Sequence, residues 1–138
     1  MSKQLCAVMA GCGGISRAWL DAIQTIPDLK MVGFVDINQQ AAQERAEQYA
    51  WKDALIGTDL AQVLTATRPD VVFDCTIPEA HPQVTMTAFA HGCDVLGEKP
   101  LADSMETARR VVQAAQAAGR TYAVIQNRRY DPKIRRLA

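Results

Sequence analysis

A doubly wound, parallel α/β sheet of about six strands with helices on both faces is the fold class this sequence predicts. Three observations carry the prediction. Short apolar runs of buried-strand type alternate six times with segments of helical period, the connections are short, and the first strand-to-helix turn is built from glycines.

The elements follow in order. Leu5–Ala10 is an apolar run ending at glycines, the pattern of a buried strand. Ile15, Ala18, Trp19, Ala22, Ile23 and Ile26 fall on one helical face, and Pro27 stops it. Met31–Val35 is the second strand, and Ala42, Ala46 and Tyr49 form the stripe of a second helix. Ala54–Ile56 is a weak third strand. After it, Thr58 or Asp59 can cap a short helix carrying Leu60, Val63 and Leu64. Val71–Cys75 is the most β-like run. A helix from about Pro82 then carries Val84, Ala88 and Phe89 to a stop at Gly92. Asp94–Gly97 is the fifth strand. Asp103 with Glu106 reads as a capping box, opening a helix with Met105, Ala108, Val111, Val112 and Ala115 inward and Gly119 as its stop. Tyr122–Ile125 is the sixth strand, and a last helix begins near Asp131.

Composition narrows the function classes. At 138 residues, 49% hydrophobic and 22% charged, the chain has the length of one domain and lies outside the disordered and fibrous ranges. No apolar run approaches the ~18 residues of a membrane span. The apolar stretch after Met1–Gln4 is too short for a signal-peptide core, so a cytoplasmic location is expected. Cys6, Cys12, Cys75 and Cys93 lack C-x-x-C spacing, which predicts reduced, mostly packed thiols and no metal site. The net charge of zero is a sum of unlike parts. Residues 1–98 carry six Lys/Arg against twelve Asp/Glu, and residues 99–138 carry nine against three. Arg128, Arg129, Lys133, Arg135 and Arg136 form the basic end. A solvated or subunit-facing helix is favoured there over a nucleic-acid surface, because the rest of the domain is acidic.

The first chemistry-bearing motif is Gly11-Cys12-Gly13-Gly14-Ile15-Ser16, between a strand and a helix. Gly11 permits the tight turn, Gly13 lets the backbone approach a pyrophosphate, and the helix N-terminus offers free N–H groups. Ser16 stands where a third small residue allows close helix–strand packing. Asp36 ends the second strand at a distance suited to an acid that binds ribose hydroxyls. A carboxylate there repels a 2′-phosphate, and neither Ile37 nor Asn38 offsets it, so NAD is expected over NADP. The alternative is that Asp36 merely caps the next helix. No GxxxxGK[ST] loop is present, which argues against ATP or GTP chemistry.

Three further clusters follow strands four, five and six, at the edge where open parallel sheets bind ligands. They are Thr76-Ile77-Pro78-Glu79-Ala80-His81-Pro82, Gly97-Glu98-Lys99-Pro100-Leu101 and Gln126-Asn127-Arg128-Arg129-Tyr130-Asp131-Pro132. His81 can equally pack at the start of its helix. His91, just before Gly92, suits a helix C-terminus, and Trp19 suits a core stripe.

With these four motifs in this order, Leu5 to Pro132 resembles the Gfo/Idh/MocA family of sugar and cyclitol dehydrogenases, whose cofactor domain is a Rossmann fold. The resemblance implies that Gly11, Gly13, Gly14 and Ile15 contact the pyrophosphate and Asp36 the adenosine ribose. It implies Thr76, Pro78 and His81 along the cofactor, with Glu98 near the nicotinamide. Lys99 matches the family lysine beside nicotinamide and substrate hydroxyl, often preceding a cis proline, and Asn127 and Arg128 border that place. Lys99 could relay a proton if burial and the nicotinamide's charge lower its pKa. The implied function is the NAD-binding part of an oxidoreductase moving a hydride between a nicotinamide and a secondary alcohol of a sugar, cyclitol or related polyol. The alternative is a non-catalytic dinucleotide-binding or sensing module acting through a partner. Residues 1–127 are expected to form the cofactor domain, and 128–138 to start the helix into a substrate domain not present here. In the full-length protein, a homo-oligomer is expected, with no nucleic-acid or membrane partner.

Overall fold

Six parallel strands lie side by side in the order β3-β2-β1-β4-β5-β6 in the computed structural model, which describes residues 3–137. Met1, Ser2 and Ala138, at the ends of the expected domain and helix, lie outside the described residues. The strands are β1 (Leu5–Ala10), β2 (Leu29–Val35), β3 (Leu55–Gly57), β4 (Val71–Asp74), β5 (Asp94–Gly97) and β6 (Tyr122–Val124). Between them run α1 (Ser16–Ile23), α2 (Gln39–Gln48), α3 (Leu60–Thr67), α4 (His81–Ala90) and α5 (Met105–Ala118), with a short α6 (Pro132–Arg135) at the end. The doubly wound prediction is correct.

Side-chain alternation along β1 explains why helices cover both faces. Ala7 and Met9 point into one core with Trp19, Leu20 and Ile23 of α1 and Ala42 and Ala46 of α2. Val8 and Ala10 point into the other, with Val63 and Leu64 of α3, Phe89 of α4 and Val111 of α5. The chain winds outward from β1 to β3, crosses back, and winds outward again from β4 to β6. The two helix sets lie on opposite faces, α1 and α2 on one and α3, α4 and α5 on the other. The order of travel reverses between β1 and β4.

Several expected details are corrected. β2 begins at Leu29, which pairs with Leu5, two residues before the expected Met31. Ile26 and Ile15 are not core: α1 spans only Ser16–Ile23, and both isoleucines are about half exposed. α5 is capped by Ser104, whose hydroxyl accepts from Thr107 N–H at 3.1 Å, not by Asp103 with Glu106. Val111 and Ala115 are buried as expected, whereas Met105 is 69% and Val112 41% exposed. A cleft of about 310 Å³ between α5 and β6, lined by Val112, Ala115 and Tyr122 among others, leaves Val112 without full cover. A single 3-10 turn, Pro78–Ala80, precedes α4. Asp59 caps α3, Asp131 caps α6, and Gly92 and Gly119 end their helices at positive φ. All four cysteines are free. No helix among the described residues is long and apolar enough to cross a membrane.

Candidate dinucleotide site

At the carboxyl ends of the paired strands β1 and β4, the glycine turn is shaped by a close approach. Gly11 sits at φ +86°, and a Cβ there would lie 2.6 Å from the carbonyl carbon of Cys75. Only glycine meets both demands. Beyond it, a Cβ on Gly13 or Gly14 would meet nothing within 4 Å, so the turn's outer side is open.

The turn leads into an uncapped helix. Ile15 at the N-cap makes no side-chain cap, and the first turn of α1 carries no acid. Ser16 turns inward, its hydroxyl donating to Gly13 O at 2.6 Å, and is fully buried, consistent with the small-residue expectation. Among the described residues, the N–H groups of Gly13, Gly14 and Ile15 have no acceptor, although those of Gly11, Cys12 and Ser16 do. Exposed, unpaired N–H groups at the positive end of a helix dipole form an anion site.

Asp36 is joined to the same turn. Its Oδ2 accepts from Cys12 N–H at 2.8 Å and its Oδ1 from Asn38 N–H at 2.9 Å. It is not the cap of α2: Asn38 is, accepting from Gln40 N–H at 3.1 Å. Ile15, Ile37 and Ile77 stand 46%, 96% and 67% exposed in the loops after β1, β2 and β4. Apolar side chains left in water at one sheet edge fit a flat, apolar ring better than they fit solvent.

The loops after β4 and β5 are tied together behind this edge. Buried Asp74 accepts at Oδ1 from the N–H and hydroxyl of Thr76, at 3.0 and 2.5 Å. Burial pushes its pKa up, against the lowering pull of Thr76 and His81. His81, 1% exposed, sets Nε2 2.9 Å from Thr76 O and Nδ1 2.9 Å from Pro100 O. Both ring nitrogens face backbone carbonyls, so the ring sits between the β4 loop and the β5 loop and donates to the carbonyl that its N–H meets. Glu98 N–H donates to Asp74 O at 2.9 Å, and Glu98 Oε1 accepts from Trp19 Nε1 at 2.8 Å. The Lys99–Pro100 bond is cis. Lys99 itself is exposed. Pro78, Asn127 and Arg128 are exposed in their loops.

The geometry therefore brings Gly11, Gly13, Gly14, Ile15 and Asp36 into one turn and joins Thr76, His81 and Glu98 behind it. Among the described residues, no hydrogen bond or ion pair links Lys99, Asn127 or Arg128 to that group. Two participants were not expected. Trp19 is core, packed on Phe73 with ring centres 5.6 Å apart, yet its N–H also holds Glu98. Arg45, 9% exposed, reaches from α2 to Cys12 O and Gly13 O. The available signal was an arginine on the stripe Ala42, Arg45, Ala46, Tyr49. Burial also raises the Cys12 thiol to about 12, with Asp36 adding to the effect. His91 is structural as expected, its Nδ1 2.8 Å from Thr87 O at the end of α4.

An open parallel sheet with an uncapped glycine turn at its switch point, and an acid fixed beside that turn, defines a dinucleotide-binding α/β domain. Over residues 5–126 the chain matches the Gfo/Idh/MocA family, described as an oxidoreductase family with an NAD-binding Rossmann fold, and it belongs to that family. It is 35% identical over 96 residues to D-glucoside 3-dehydrogenase of Escherichia coli (strain K12), covering 70% of this chain and 27% of that protein. Inositol 2-dehydrogenase of Paracoccus denitrificans (strain Pd 1222) is 30% identical over 124 residues, covering 88% and 37%. The crystal structure of GenD2 from gentamicin A biosynthesis in complex with NAD is similar with a TM-score of 0.88 and 26% identity. That match covers 99% of this chain and 38% of GenD2. The chain thus spans about a third of the length of the relatives it matches.

Proposed function

We propose that the chain is the NAD-binding part of an oxidoreductase that moves a hydride between a nicotinamide and a secondary alcohol of a sugar, cyclitol or related polyol. The observation that carries this reading is the set of three unpaired N–H groups at the uncapped start of α1, with Asp36 tied to the same turn. The named activities of the glucoside and inositol dehydrogenase relatives support the substrate class.

In this reading Gly11 shapes the turn, and Gly13, Gly14 and Ile15 present N–H donors to the diphosphate. Asp36 receives the ribose hydroxyls and repels a 2′-phosphate, which favours NAD over NADP. Thr76 and Pro78 border the cofactor, and His81 acts from behind by holding the Thr76 and Pro100 loops. Glu98, fixed by Trp19, lies toward the nicotinamide. Lys99 reaches the substrate hydroxyl and moves its proton, with Asn127 and Arg128 beside it. The nicotinamide, when bound, supplies the hydride acceptor or donor. Residues 1–127 form the cofactor domain, and 128–138 lead toward a substrate domain of a cytoplasmic, oligomeric enzyme.

Titration by quenching of tryptophan fluorescence tests the cofactor assignment. NADH is expected to bind more tightly than NADPH, with Asp36→Ala narrowing the difference. Folded protein that binds neither nucleotide overturns the reading, and equal affinity for both overturns the role of Asp36. In the full-length enzyme, Lys99→Met should lower turnover strongly with NADH affinity unchanged. Undiminished turnover removes Lys99 from the proton path.

A further inference from the structure

Behind the glycine turn lies a buried guanidinium. Arg45 Nε and Nη2 donate to Cys12 O at 3.3 and 3.2 Å, Nη2 also donates to Gly13 O at 3.2 Å, and Nη1 donates to Gln48 Oε1 at 2.7 Å. Among the described residues no carboxylate lies within 4.0 Å of it. Removing an arginine from water without a carboxylate partner is costly, so its retention at 9% exposure calls for a compensating role.

Peptide geometry indicates that role. In a trans peptide the C=O and the following N–H point in opposite directions across one plane. The peptides after Cys12 and Gly13 are trans, since Lys99–Pro100 is the one cis bond recorded among the described residues. Drawing Cys12 O toward Arg45 therefore turns Gly13 N–H away from it. Drawing Gly13 O toward Arg45 and Ser16 does the same for Gly14 N–H. These are two of the three N–H groups without an acceptor. Arg45 thus fixes the direction of the turn's donors and places a full positive charge on their far side.

We propose that Arg45 is a positioning residue for the nucleotide diphosphate, aiming the Gly13 and Gly14 N–H groups and adding a buried cation behind them. The inference rests on the cofactor reading above. It extends that site to a residue on α2 that neither the glycine motif nor Asp36 would indicate.

The test measures affinities for ADP, NADH and adenosine in the wild type, Arg45→Met and Arg45→Lys, alongside urea unfolding of each without ligand. For Arg45→Met, ADP and NADH should each bind on the order of tenfold more weakly, the effect of losing a charge and its aimed donors in a partly buried site. Adenosine, which has no phosphate, should lose less than twofold. Arg45→Lys keeps the charge without the planar fork and should recover part of the loss for both phosphate ligands. A purely structural arginine would lower stability and leave the folded protein's affinities unchanged, or weaken adenosine and ADP equally; either result overturns the proposal. If Arg45→Met does not fold, Arg45→Lys decides: weaker ADP binding with unchanged adenosine binding supports the role, and unchanged ADP binding refutes it. Wild-type protein that binds neither ADP nor NADH would overturn the cofactor reading instead, which keeps the two failures apart.

Discussion

Replacing Gly11 and Gly13 separately with alanine should divide the glycine turn into a part that serves the fold and a part that serves the ligand. At Gly11 the new Cβ would sit 2.6 Å from Cys75 backbone atoms, whereas ordinary contact begins at 3.4 Å, so about 0.8 Å must be found. The strand end cannot yield easily, because Cys75 N–H donates to Ala10 O at 2.7 Å. Crowding of that kind costs roughly 1–3 kcal/mol. Holding alanine at φ +86° adds about 1–2 kcal/mol. The reduced freedom of the unfolded chain returns about 0.4–1 kcal/mol. A net loss of about 3 kcal/mol follows, or on the order of 10 °C in melting temperature for a domain of this size. At Gly13 the Cβ meets nothing and φ is ordinary, so Gly13→Ala should match or slightly exceed the wild-type stability. Its methyl group instead occupies the open side of the turn, and NADH affinity should fall at least tenfold, about 1.4 kcal/mol. Urea unfolding followed by tryptophan fluorescence, with NADH titration of each variant, reads both effects. A Gly11→Ala midpoint equal to wild type would refute the close-approach argument. Unchanged NADH affinity in Gly13→Ala would refute the placement of the diphosphate.

Three other outcomes are expected. Asp74 has a folded pKa raised above its unfolded value of 3.8, chiefly by burial, so its contribution to stability is fully present below 3.8 and lost as pH rises through the folded pKa. The stability of wild type relative to Asp74→Asn should therefore be greater at pH 4 than at pH 7; a constant difference in urea midpoints would contradict this. With Cys12 raised to about 12, only about one thiol in ten thousand is ionised at pH 8, so disulfide reagents should label half-buried Cys6 first and Cys12 only on unfolding. Mass spectrometry of the labelled native protein checks the order, and early modification of Cys12 would refute it. Trp19→Phe keeps the packing on Phe73 but removes the N–H bonded to Glu98, and should cost about 1 kcal/mol in unfolding together with a measurable loss of NADH affinity. Loss of stability alone would make Trp19 a core residue and nothing more.

Most of what could be read from the sequence was local, and most of what could not was distant along the chain. The turn Gly11–Ser16 needs only a strand, a helix and small residues in between, and its neighbours in sequence supply all three. Asp59, Gly92, Gly119 and Asp131 cap or stop their helices through bonds spanning a few residues; Gly92 and Gly119 were legible as stops, Asp131 as the start of its helix, and Asp59 as one of two candidates with Thr58. The α5 cap was not, because D-x-x-E and S-x-x-T overlap one residue apart. The extended backbone of Ser104, at φ −146° and ψ 159°, decides between them. Arg45 and Trp19 find their partners 33 and 79 residues away, across a topology that no periodicity specifies. Helical spacing placed Trp19 on a core stripe and left Arg45 unmarked beside Ala42 and Ala46, and it could say nothing of what either would meet.

Strand β1 has a further consequence for the lifetime of the folded chain. It is the strand through which the first winding pairs with the second, and four residue pairs with β4, from Ala7–Val71 to Ala10–Asp74, carry the hydrogen-bonded seam between them. If either half opens locally, it must part along that line. In the proposed reading a nucleotide rests on the loops at the ends of both β1 and β4, and there it would span the seam and make its opening harder by the free energy of its own binding. Nucleotide supply would then act as a clamp on turnover by proteases, with saturation at a hundred times the dissociation constant worth about 2.7 kcal/mol against opening.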